Sequence, residues 1–147
     1  MRKHFAHPIL IFLMAVGLQG FWRFVLEPLA QTTLGISLGN FLFVLLRVLV
    51  IFALPLLLAW GCGFSRFGAL ALTAFATFVE SVGFTTLQIW QDLKASPVDL
   101  APSGPWPSVL NLMTAFIFNL PIVLIFAFAG YELGKRLSPF QPGRTSG

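Results

Sequence analysis

Two ionisable side chains stand where an apolar chain rarely puts them: Glu80 within ALTAFATFVESVGFTTLQIW and Arg47 within FLFVLLRVLVIFALPLLLAW. A carboxylate in such a run can take up and release a proton or hold a cationic solute, and an arginine beside it can set its charge balance. At the centre of a membrane helix either group costs about 2.5–3.5 kcal/mol on insertion scales. Facing lipid would leave that cost unrelieved, so each residue is expected to find a partner. Arg suits the task because its planar fork can donate to a carboxylate in two places.

Helix rise converts position into depth. Counted inward from Trp90, Glu80 lies about 15 Å deep. Counted from Asn40, the Arg47 backbone lies about 10 Å deep, with a side chain long enough to reach either way. Asn119, counted from Val109, again lies about 15 Å deep. Three polar groups on three helices thus share a level, and Asn119 is expected to complete the hydrogen bonding of an Arg47–Glu80 pair. A simpler alternative makes the pair a clamp that sets helix register; another lets Arg47 snorkel away and leaves Glu80 protonated on a hydroxyl.

The residues around Glu80 fit an interior face. Thr73, Ala76, Thr77, Glu80 and Gly83 recur at spacings of three and four, and Ala69, Thr73, Thr77, Ser81 and Thr85 recur every four. Small and hydroxylated residues so spaced let membrane helices approach closely, which assigns Ala69, Thr73 and Ser81 to helix packing and Thr77 to the neighbourhood of Glu80. Gln19, Thr85, Gln88, Asn111 and Thr114 fall toward the opposite end from Thr73 and form a candidate outer vestibule. Pro55 and Pro121 each free a carbonyl one turn back, which neighbouring groups can solvate.

The elements that must position these groups follow from composition. The 147 residues are 57% hydrophobic and 10% charged, against about 25% charged in soluble domains. The apolar residues fall into blocks at 5–22, 41–60, 67–90 and 109–131, each long enough or nearly so for a bilayer core of about 30 Å. The expected fold is all-α, a single integral membrane four-helix bundle over 1–137 with a mobile tail at 138–147. Met1 to Gly17 has the charged start and apolar run of a signal peptide, but the apolar pattern continues to Trp22, so the first helix is expected to be retained. The few residues from Cys62 to Arg66, flanked by Gly61 and Gly63, predict a tight hairpin between the second and third helices. Phe24, Val25, Leu26 and Leu29 suggest a short interfacial helix after the first span. Pro97, Pro102, Pro105 and Pro107 oppose regular structure before the fourth.

With the N-terminus in the cytoplasm, Arg2, Lys3, Arg66, Lys135, Arg136 and Arg144 lie inside, and only Arg23 and Lys94 outside. This satisfies the positive-inside rule, and Trp22, Trp90, Trp106, Trp60 and Tyr131 then mark the two interfaces. Both termini are therefore expected in the cytoplasm, in a membrane of the bacterial inner kind.

The formal charge is +4, but the basic residues are spread over helix ends and loops, so no nucleic-acid partner is expected. The single cysteine, Cys62, permits no internal disulfide. His4 and His7 sit near one end of the first helix, Asp92 and Asp99 near the other end of the third, and no phosphate loop or nucleophile elbow is present. An enzyme, a metal site and a cofactor are not expected. The lipid bilayer is the first partner, followed by further copies of the chain or a larger membrane complex. Two functional classes remain: a transporter, channel or transport-complex subunit working through Glu80, and an accessory subunit in which the Arg47–Glu80 pair only clamps the fold.

Overall fold

The structure, a computed structural model, describes residues 7–95 and 106–138, and among them it contains helices and no strands. Four helices are long and apolar enough to cross a membrane: α1 (Pro8–Leu34), α2 (Ile36–Cys62), α3 (Arg66–Lys94) and α4 (Trp106–Leu137). The proline-rich segment before α4, most of the tail, and Arg2, Lys3, His4 and Arg144 lie outside the described residues.

The first helix is longer than its apolar block. Instead of stopping at Trp22 and giving way to a separate interfacial helix, α1 passes through a π turn at Trp22–Leu26 and continues to Leu34. Pro28, which lacks an N–H to donate, is the second residue after that turn, where the hydrogen-bond ladder is already shifted. Reversal into α2 takes a single residue, Gly35, at φ 88°, a conformation open to glycine. At about 1.5 Å per residue, helices this long exceed a 30 Å hydrocarbon core and carry their polar ends beyond it.

The hairpin between α2 and α3 turns at Gly63, whose φ of 57° places it in the left-handed region, while Gly61 remains helical. The Phe64 N–H donates back to the Leu58 carbonyl, and Ser65 opens α3 by accepting from the Gly68 N–H at 3.2 Å. Tyr131 on α4 donates its hydroxyl to the Phe64 carbonyl at 3.0 Å, fixing the end of α4 to this turn. Tyr131→Phe is expected to lower stability by about 1 kcal/mol, because the carbonyl loses its donor while the ring packing stays. Reversible unfolding in mixed micelles measures it; an unchanged midpoint would show that the bond contributes nothing.

The interior is centred on α2 and α3. Their most apolar windows are 28% and 33% buried, against 6% for α1 and 11% for α4, so the first and last helices flank the middle pair. Leu54, Leu58, Ala59, Ala69, Ala76 and Tyr131 form the main core, with Ile11, Phe12, Ala15 and Val16 of α1 packed against it. The closest helix contact lies between α2 and α4. A Cβ at Gly130 would stand 2.2 Å from the Phe52 carbonyl oxygen, and one at Gly134 would stand 2.3 Å from that of Leu56. The segment GYELG is thus a small-xxx-small contact seated directly on the backbone of α2. The stripe expected to do this on the third helix is buried too, at Ala69, Thr73 and Thr77.

Candidate functional site

Glu80 is the middle residue of α3, equally far from Arg66 and from Lys94. Thr73, Ala76, Thr77 and Glu80 are all buried on one face, with Glu80 only 2% exposed. Gly83, expected on that face, is exposed instead. The cause is a second π turn, Val79–Phe84, whose extra residue advances the helix by about 100° and turns Val82 inward.

Arg47 reaches Glu80 from α2. Its Nε lies 3.2 Å from Glu80 Oε2, and its Nη2 donates to the Ser81 hydroxyl, which donates in turn to the same Oε2 at 3.1 Å. The arginine fork therefore does not clasp both carboxylate oxygens: one arm meets the carboxylate and the other meets Ser81. The pair is asymmetric in burial, with side-chain exposures of 3% for Glu80 and 29% for Arg47. Carboxylate, guanidinium and hydroxyl close into a triangle at mid-helix, an arrangement that can hold a charge or exchange one partner for a cationic guest.

Asn119 does not join this triangle. Its Nδ2 donates to the Ala115 carbonyl of its own helix at 2.9 Å, and the residue is exposed on α4. It meets Arg47 differently, as a lining residue of a half-open groove of about 190 Å³ between α2 and α4, with Val44, Ile51, Val123 and Phe126. Sharing a depth does not fix a direction, and the rotation of α4 is set by Gly130 and Gly134 seating on α2. Thr77 is likewise turned to its own helix, donating to the Thr73 carbonyl at 2.9 Å, as Thr73 does to that of Ala69 at 2.8 Å.

Of the vestibule candidates, the structure gathers three on the facing sides of α1 and α3. Thr85 and Gln88 both accept from Arg23, at 3.4 and 3.2 Å. Gln19 is 2% exposed one turn away. Asn111 and Thr114 stand apart on exposed positions of α4, where Thr114 donates to the Leu110 carbonyl. Arg23, read from sequence only as a topology charge, is the hub. It lies 3.6 Å from Glu27 and 5.0 Å over the Phe43 ring, and Gln31 extends the network from Glu27 to Asn40 of α2. Arg23, Glu27 and Gln31 recur every four residues, a signal that becomes legible once α1 is continued past Trp22.

Among the described residues no three of His, Cys, Asp or Glu converge as metal ligands. Four long apolar helices place the chain, by length and composition, among polytopic helical membrane proteins. Compared with family models, curated proteins and solved structures, it matches none of them.

Proposed function

We propose that the protein acts in transport across a membrane of the bacterial inner kind, with both termini cytoplasmic, as a homo-oligomeric transporter or channel or as a subunit of a transport complex. The carrying observation is the buried Glu80 carboxylate at mid-helix, held by Arg47 and Ser81. An ionisable residue inside a membrane helix is by default a functional group, since a purely structural contact is made more cheaply with apolar side chains. In this reading Glu80 is the site of a proton or small cationic solute and Arg47 its internal counter-charge. Further support for an assembly comes from the largely apolar groove between α2 and α4, where the two polar side chains Arg47 and Asn119 would be shielded from lipid by a neighbouring helix. Four helices are also few to enclose a pathway alone.

The test begins with the tagged protein extracted in mild detergent, where native mass spectrometry identifies what travels with it. That assembly is then reconstituted into vesicles and challenged with proton and monovalent-cation gradients. The expected result is a flux above that of empty vesicles, abolished by Glu80→Gln in an assembly of unchanged composition. Flux indifferent to Glu80→Gln, or none from the intact assembly, would favour the accessory role in which Arg47 and Glu80 only clamp the fold.

A further inference from the structure

Asn119 stands near the middle of α4 on an exposed position and lines the groove between α2 and α4. The two walls of that groove repeat one pattern: Val44, Arg47 and Ile51 on α2, and Asn119, Ile122 and Phe126 on α4, each set spaced by three and then four residues. Matching spacings on both walls make a trough along the helix axes, a shape that receives a third helix. The α4 wall is thinly held. From Pro107 to Ile122 no residue is buried, and only Val109, Leu112, Phe116 and Leu120 are partly covered, whereas Ile117, Phe118 and Ile122 are 63%, 79% and 56% exposed. That half of α4 is held to its own copy along a single line of side chains.

The amide decides what the trough receives. Asn119 gives one Nδ2 hydrogen to the Ala115 carbonyl, and the amide also carries a second N–H and a carbonyl oxygen able to accept. Lipid tails can bond neither, and an asparagine inside a membrane is matched by hydrogen bonds across to another helix. A second copy with the same orientation, related by a two-fold axis along the membrane normal, brings its own Asn119 to the same depth with no adjustment. Each amide can then donate to the oxygen of the other, so the contact is self-complementary. A foreign helix would need a polar group placed independently at that depth. Ala115, one turn before Asn119, is small enough to let two helices close, and Ile122, one turn after, supplies apolar contact.

We infer that two copies of the chain pair through α4, each α4 lying along the α2–α4 groove of the other, with Asn119 bonded to the partner's Asn119. Arg47 lines the same groove, so the partner's α4 covers its exposed edge. The triangle of Arg47, Glu80 and Ser81 is then walled on that side by the second copy. The pairing specifies the assembly that the transport reading calls for. Its role in transport rests on that reading, whereas its existence does not.

The experiment is oxidative cross-linking of single cysteine substitutions in the full-length protein, carried out with copper phenanthroline in the membranes of the expressing cells and read by mass spectrometry. The native chain, whose one cysteine, Cys62, is buried, gives the background. Ala115→Cys and Ile122→Cys, on the groove side of α4, are expected to form linked dimers several-fold faster than Ile117→Cys, which is also exposed but lies on the far side of the helix. Asn119→Leu is expected to weaken pairing about tenfold, measured by energy transfer between labelled copies as they are diluted in lipid vesicles. Asn119→Gln, which keeps both amide functions, is expected to restore most of it and guards against a fold lost through the leucine. Equal linking at the three positions, a linked product containing a foreign protein in place of a second copy, or pairing unchanged by the leucine would overturn the inference. None of these readings depends on whether Glu80→Gln changes flux, so failure of the pairing and failure of the transport role are told apart.

Discussion

Arg47→Gln is expected to destabilise the protein far more than Glu80→Gln, and the double replacement is expected to regain most of the loss. The asymmetry follows from burial. Without Arg47, a carboxylate with 3% side-chain exposure keeps only the Ser81 hydroxyl, and stranding a buried charge in this way costs about 3–5 kcal/mol. Without the Glu80 charge, the guanidinium is 29% exposed and already borders the groove with Asn119. It can swing along that groove toward an interface, while the amide at position 80 still accepts a hydrogen bond, so the loss is about 1–2 kcal/mol. Reversible unfolding of the native, single and double variants in mixed micelles closes the thermodynamic cycle. Equal losses from the two singles, or losses that simply add in the double, would mean that the pair is not the interaction holding α2 to α3 at this level. Because Glu80→Gln is the mild substitution, it is also the one in which lost flux can be read as lost chemistry.

Substitutions at the α2–α4 contact should be comparably severe for a steric reason. Alanine at position 130 or 134 puts a methyl carbon 2.2 or 2.3 Å from a carbonyl oxygen of α2, and backbone cannot rotate aside as a side chain can. Each is expected to cost about 1–3 kcal/mol, as overpacking does, and Gly130→Leu more. The double alanine variant should lose less than the sum, since helices pushed apart by one methyl have made room for the other. Gly61→Ala is the control: its Cβ meets nothing within 4 Å, and alanine is the better helix former by about 1 kcal/mol. Should Gly130→Ala unfold no more easily than Gly61→Ala, the close approach of α2 and α4 would be wrong.

These two expectations differ in how far the sequence anticipates them. Arg47 and Glu80 stand out because charge in an apolar run is visible in any single sequence, and counting along helices of fixed rise puts them at similar depth. Gly130 and Gly134 have the right spacing, but Ala69, Thr73 and Thr77 have it as well, and spacing alone does not say which stripe meets a backbone. Arg23 does not stand out in the sequence, because it falls just outside an apolar run. The apolar block ends at Trp22, and only the continuation of α1 to Leu34 places Arg23, Glu27 and Gln31 on one helix face.

The sequence by itself determined that the chain is helical, that four segments are long and apolar enough to cross a bilayer, and where along them the ionisable groups lie. Those properties are local: they depend on residue type and on a fixed rise per residue. Direction around each helix axis was decided only by tertiary structure, because it depends on which faces meet and on each irregular turn between. The π turn at Val79–Phe84 rotates Gly83 outward, and the seating of Gly130 and Gly134 turns Asn119 to the outer groove. One inserted residue changes a helix phase by about 100°, and no count of polar groups along the chain reveals it.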